Sequence, residues 1–132
     1  MIFMLLFIAI TTCITMSLKT LFKPNKIKGK MLSFENFLVL AVVYTIITLG
    51  FALIYLLFDI QGYLIVRDGF ITEADGFWMR LESSFYFSAM TLFSVGYGDI
   101  YPMGIGRMIA VFEALIGYTI PAAFVAKAVL DR

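Results

Sequence analysis

The segment Ser94-Val95-Gly96-Tyr97-Gly98-Asp99 sets two glycines one residue apart and closes on a carboxylate. An ordinary strand points successive carbonyls to opposite sides, and one in which every second residue takes φ > 0 turns them to a common side. That conformation costs little for glycine and about 1–2 kcal/mol for a residue with a β-carbon. Gly96 and Gly98 fall at such an alternation. Gly-x-Gly followed by Asp is by itself a common turn, so its neighbours must decide its meaning. A dinucleotide fingerprint fails, because Tyr101 stands at the third glycine position and no strand-helix unit surrounds it. The remaining chain holds little other chemistry. It has no histidine and one cysteine, Cys13, which removes His-based acid/base catalysis, the common zinc sites and any intrachain disulfide. No nucleophile-base pair or metal cluster can be drawn, and the reading is not an enzyme.

The elements that must hold this segment are apolar. Of 132 residues, 62% are hydrophobic and 14% charged, against about 45–50% and about 25% in an ordinary globular protein. That balance excludes a conventional soluble fold, and a net charge of +1 gives no sign of nucleic-acid binding. A helix needs ~20 apolar residues to cross the ~30 Å hydrocarbon layer. Phe34 to Phe58 and Arg107 to Leu130 qualify; Met1 to Leu18 is slightly short. That first stretch lacks the basic start and Ala-x-Ala site of a signal peptide and is read as a retained membrane helix over 1–18, a cleaved signal peptide and an interfacial anchor being the alternatives. The loop 19–33 carries Lys19, Lys23, Lys26, Lys28 and Lys30 around Pro24, Asn25 and Gly29. The positive-inside rule places it in the cytoplasm, where it can also meet anionic lipid headgroups. The loop 59–78 holds Asp59, Asp68, Glu73 and Asp75 against Arg67 and reads as the outer side. The chain then starts outside, crosses three times and ends inside with Lys127 and Arg132. Phe77 and Trp78 suit the headgroup level. From Met79 to Leu92 there is neither Pro nor Gly, which predicts a helix of ~20 Å, too short to cross. Such a half-length helix is tolerated at membrane depth only inside protein or beside water, so it must re-enter.

With those elements around it, Thr91 to Pro102 resembles the potassium-channel signature Thr-Val-Gly-Tyr-Gly-Asp, with Ser94 where Thr is usual. The order of helix, acidic outer loop, half helix, signature and helix (34–58, 59–78, 79–92, 94–99, 105–130) is similar to the pore module of small two-helix prokaryotic potassium channels and covers Phe34 to Arg132. The resemblance implies an all-α membrane protein of the bacterial plasma membrane, assembled as a four-fold symmetric homotetramer. K⁺ would exchange its water shell for oxygens of Ser94, Val95, Gly96, Tyr97 and Gly98 and flow passively, with no cofactor beyond the ion. Val95 and Tyr97 would point away from the axis and pack on the half helix. The Ser94 hydroxyl would add to the innermost site, where the lost methyl of Thr leaves looser packing. The end of the half helix, near Leu92 and Phe93, would aim its negative dipole end at a central cavity, and Asp99 would ring the outer mouth. Tyr86 stands where the family places an aromatic residue bonded to that acid; plain aromatic packing is the other reading. Met90 stands where some bacterial members carry a second carboxylate clamp. A weakly selective cation channel and a non-conducting accessory subunit are the alternatives.

Gly117 lies midway along the last helix, at the position of a gating hinge in related channels. Pro121 lacks the amide that would bond the Gly117 carbonyl, and the pair predicts a kink, either mobile or fixed. Glu113 lies one turn earlier, where an unpartnered carboxyl is costly. Ser88 or Thr91 of the half helix are its expected partners, a cavity-facing role being the alternative. Helical spacing from the hinge puts Tyr118, Ala122, Val125 and Val129 on the cavity wall. Thr11, Thr12, Cys13 and Thr15 form a mildly polar stripe that packs on another helix or bonds its own carbonyls. No helix carries the repeated basic residues of a voltage sensor and no ligand-binding domain follows the last helix in this sequence, so control is expected from lipid or a separate partner.

Overall fold

The structure, a computed structural model, describes residues 1–22, 34–69 and 76–130. Four helices and two short strands follow one another: α1 (Ile2–Phe22), α2 (Phe34–Ile60), β1 (Val66–Asp68), α3 (Phe77–Leu92), β2 (Ile100–Pro102) and α4 (Ile105–Leu130). The fold is that of an all-α membrane protein. Asn36–Ile60 and Ile105–Lys127, 25 and 23 residues, are long and apolar enough to cross a membrane. The apolar part of α1, Ile2–Ser17, is shorter.

Three boundaries differ from the sequence reading. α1 runs past Leu18 to Phe22, so Lys19 sits exposed on the helix rather than in a loop. α2 continues two residues beyond Phe58. α3 starts at Phe77, which makes Phe77 and Trp78 its first turn. Lys23, Lys26, Lys28 and Lys30, Glu73, Asp75 and Arg132 lie outside the described residues.

The region expected as an acidic loop also contains a strand. β1 pairs antiparallel with β2, Val66 opposite Pro102, Arg67 opposite Tyr101 and Asp68 opposite Ile100. This ribbon fastens the outer loop to the residues directly after Asp99. The Met103 amide donates to the Ile65 carbonyl at 2.7 Å. Gly106 packs so closely there that a β-carbon would stand 2.1 Å from the Ile65 oxygen.

α3 lies against both α2 and α4, and the buried core of Ile47, Phe51, Tyr55, Phe87, Leu92 and Ile120 fills the space between them. Its start is held from outside by the Arg80 to Asp59 ion pair at 3.1 Å and by Ser83, whose hydroxyl donates to Asp68 at 2.6 Å. α1 packs on α2 where Gly50 leaves room for Ile14, and Phe3 and Phe7 meet Phe58 edge-on at 5.8 and 6.4 Å. The hydroxyls of Thr11, Thr12 and Thr15 bond α1's own carbonyls, and Cys13 is exposed.

Candidate ion-conducting segment and its supports

The end of α3 determines how the signature begins. The amide of Phe93 donates to Ala89, that of Ser94 to Thr91 at 3.1 Å, and those of Val95 and Gly96 both to Met90 at 2.9 and 3.2 Å. Four successive donors are thus spent on capping the last turn, whose carbonyls would otherwise be orphaned. The oxygens of the same segment are spared: among the described residues, no backbone amide bonds the carbonyls of Ser94 to Gly98.

Within that segment φ alternates in sign. Ser94 has φ +57°, Gly96 +55° and Gly98 +81°. The alternation therefore opens one turn of the pattern earlier than the glycines alone suggest, at the one non-glycine residue with positive φ among the described residues. A β-branched residue is the least suited to this region. Serine, without a branch at its β-carbon, is less strained at this φ than threonine would be. On the single chain Val95 and Tyr97 are both exposed, Tyr97 at 74%. Tyr86 of α3 and Asp99 stand beside one another at the segment, within hydrogen-bonding reach.

Behind the segment, Glu113 is fully enclosed at 0% exposure, so it does not face a cavity. Tyr55 of α2 donates its hydroxyl to Glu113 Oε2 at 2.7 Å, and Ser88 of α3 bonds Oε1. Thr91, the other candidate, gives its hydroxyl to the Phe87 carbonyl of its own helix. The Ser88 hydroxyl also lies 2.9 Å from the Thr48 carbonyl. One acid thereby joins α2, α3 and α4 behind the signature. The Ser88 proton can turn to Thr48, freeing its oxygen to accept from an amide. Glu113→Gln is therefore expected to change stability by less than about 1 kcal/mol, measured by thermal unfolding in detergent.

Gly117 is buried against the end of α3: a β-carbon would lie 1.9 Å from the Leu92 carbonyl oxygen. Tyr44 of α2 donates to the Gly117 carbonyl at 2.8 Å, and its ring stacks on Phe93 with centroids 5.1 Å apart. A cavity of about 470 Å³ opens here, lined by Ser94, Tyr118 and Ala122 among others. Val125 and Val129 lie further along α4 and are exposed on the single chain. Tyr44, Thr48 and Tyr55 are the supporting residues that sequence reasoning passed over. Tyr44 and Tyr55 are three helical turns apart and so share one face of an otherwise apolar helix, the one signal that could have found them.

A re-entrant half helix, a segment of spared carbonyls and two long apolar helices define a channel-type membrane protein. The sequence pattern of the family described as "Ion channel" matches residues 43–129, and the chain belongs to that family. It is similar to "Protein LctB" of Geobacillus stearothermophilus, 38% identical over 126 residues, 95% of this chain and 94% of that protein. It is also similar to "Protein LctB" of Bacillus caldotenax, 42% identical over 100 residues, 76% of this chain and 75% of that protein. The first match leaves few residues uncovered and so includes most of α1.

Proposed function

We propose that four copies of this chain surround one axis and form a potassium-selective pore through which K⁺ passes down its gradient. The observation that carries this reading is the alternation of φ at Ser94, Gly96 and Gly98 in a segment whose carbonyl oxygens no backbone amide takes. Four such segments supply rings of backbone oxygens from Ser94, Val95, Gly96, Tyr97 and Gly98 that replace the hydration shell of the ion, with the Ser94 hydroxyl added at the innermost ring. The exposed side chains of Val95 and Tyr97 and the exposed apolar residues Val111, Phe112 and Leu115 of α4 give neighbouring copies surface to cover. The C-terminal end of α3 favours a dehydrated cation in the central cavity beside Tyr118 and Ala122. Asp99, held by Tyr86, gathers cations at the outer mouth, an effect that salt screens. The lysines 19, 23, 26, 28 and 30 orient the chain with its basic connection in the cytoplasm of a bacterium, its first residues outside and its last residues inside, against anionic lipid.

The test is flux through the purified protein in liposomes under matched K⁺ and Na⁺ gradients. K⁺ is expected to pass far faster than Na⁺. Equal rates mean a cation channel without selectivity, and no flux from a homogeneous preparation means an accessory subunit; either result overturns the proposal.

A further inference from the structure

We propose that Tyr44 is a positioning residue: its phenol stands in for the amide that Pro121 lacks and ties α4 at Gly117 to the base of the conducting segment. The inference rests on the pore reading and deepens it, by naming what the inner helix must break in order to move.

The argument begins with a missing donor. In an unbroken helix the amide of residue 121 would bond the carbonyl of residue 117, and proline has no amide hydrogen. At membrane depth an open carbonyl is satisfied only by a protein donor or by water held in a cavity. The local rescue would be a hydroxyl on the same helix, but Thr119 turns its own to the Ile116 carbonyl at 3.2 Å. The donor comes instead from a different helix, far away in sequence: Tyr44 of α2, 8% exposed, reaches Gly117 O at 2.8 Å.

The same ring serves a second contact. It lies nearly parallel to Phe93, with planes 10° apart and centroids at 5.1 Å. Phe93 caps α3 and directly precedes Ser94, the residue that holds an unfavourable φ of +57°. The remaining side of Gly117 rests on the Leu92 carbonyl. Residue 117 is therefore held on its oxygen by Tyr44 and on its α-carbon by Leu92, and both holders end at Phe93 and Ser94. If α4 swings away between Gly117 and Pro121, it either reopens the carbonyl or draws Tyr44 and Phe93 with it. Movement of the inner helix is thus registered at the innermost ion site.

The test is a double-substitution cycle read by single-channel recording of the purified protein in planar bilayers. Tyr44→Phe keeps the stacked ring and removes only the donor. Pro121→Ala restores the helix's own donor to Gly117, which makes the phenol redundant. In the native background Tyr44→Phe is expected to change the ratio of open to closed time by about five- to tenfold, the factor of one buried hydrogen bond. In the Pro121→Ala background the change is expected to stay below about twofold. A residue that merely packs would give the same change in both backgrounds, and that result, or no change in either, overturns the proposal. If the unsubstituted protein conducts nothing, the pore reading falls. The tie is then read by thermal unfolding of the same four proteins: a lower midpoint for Tyr44→Phe only where Pro121 is present supports it, and equal lowering overturns it.

Discussion

Gly96→Ala is expected to abolish potassium flux while the protein still assembles. Within its own chain nothing lies within 4 Å of a β-carbon built on Gly96, so the cost of the substitution inside the chain is conformational. At φ +55° an L-residue with a β-carbon loses about 1–2 kcal/mol. The substitution enters all four copies at one ring, which raises the sum to roughly 4–8 kcal/mol. The segment escapes that cost by turning the peptide, and a turned peptide takes a ring of oxygens away from the ion. Conduction requires sites neither much deeper nor much shallower than their neighbours. A step of that size slows passage by roughly 10³-fold or more. Gly104→Ala is the matching control. It has the same open surroundings and a φ of +50°, but it lies beyond β2 and outside the ion path. It is expected to lower the unfolding midpoint and leave the flux per folded channel unchanged. Native flux from Gly96→Ala would sink the carbonyl-ring reading.

Much of this arrangement was legible because it depends on length and composition. A run without Pro or Gly that is too short to cross, placed between two runs that do, leaves re-entry as the one solution in lipid, and α3 is that helix. Ser88 was one of two candidates for Glu113 because both lie on the half helix, and the structure brings that one to the acid. The parts that were not legible depend on contacts between distant residues. A three-residue strand such as β1 is too brief to show a period of two, and it exists because the outer loop returns to the segment after the signature. The positive φ of Ser94 has no mark in its residue type; it follows from the way α3 uses the amides of residues 93 to 96 to cap itself. Tyr44 and Tyr55 looked like two more apolar residues of α2 until the carbonyl of Gly117 and the carboxyl of Glu113 were placed opposite them. Gly117 was read through its flexibility, whereas the structure gives it a contact that only a residue without a β-carbon can make.

Those two reasons for glycine at position 117 predict opposite signs in one measurement. If flexibility alone is required, Gly117→Ala changes gating and raises the unfolding midpoint, since alanine is favoured over glycine inside a helix by about 1 kcal/mol. If the contact is required, the new β-carbon lies 1.9 Å from the Leu92 oxygen. That oxygen belongs to backbone and cannot swing aside as a side chain would. α4 must then back away from α3, opening a gap at Leu92 and stretching the bond from Tyr44. Overpacking of this kind costs about 1–3 kcal/mol in each copy, and the expected result is a midpoint lower by roughly 5–15 °C. Gly106→Ala calibrates the result, because its β-carbon would meet the Ile65 oxygen at 2.1 Å near the start of α4, far from any bend. A comparable fall at both positions assigns Gly117 to close packing first, so that whatever bending α4 undergoes is set by the release of Tyr44 and not by the looseness of a glycine. A fall at Gly106 alone would return Gly117 to the role of a free hinge.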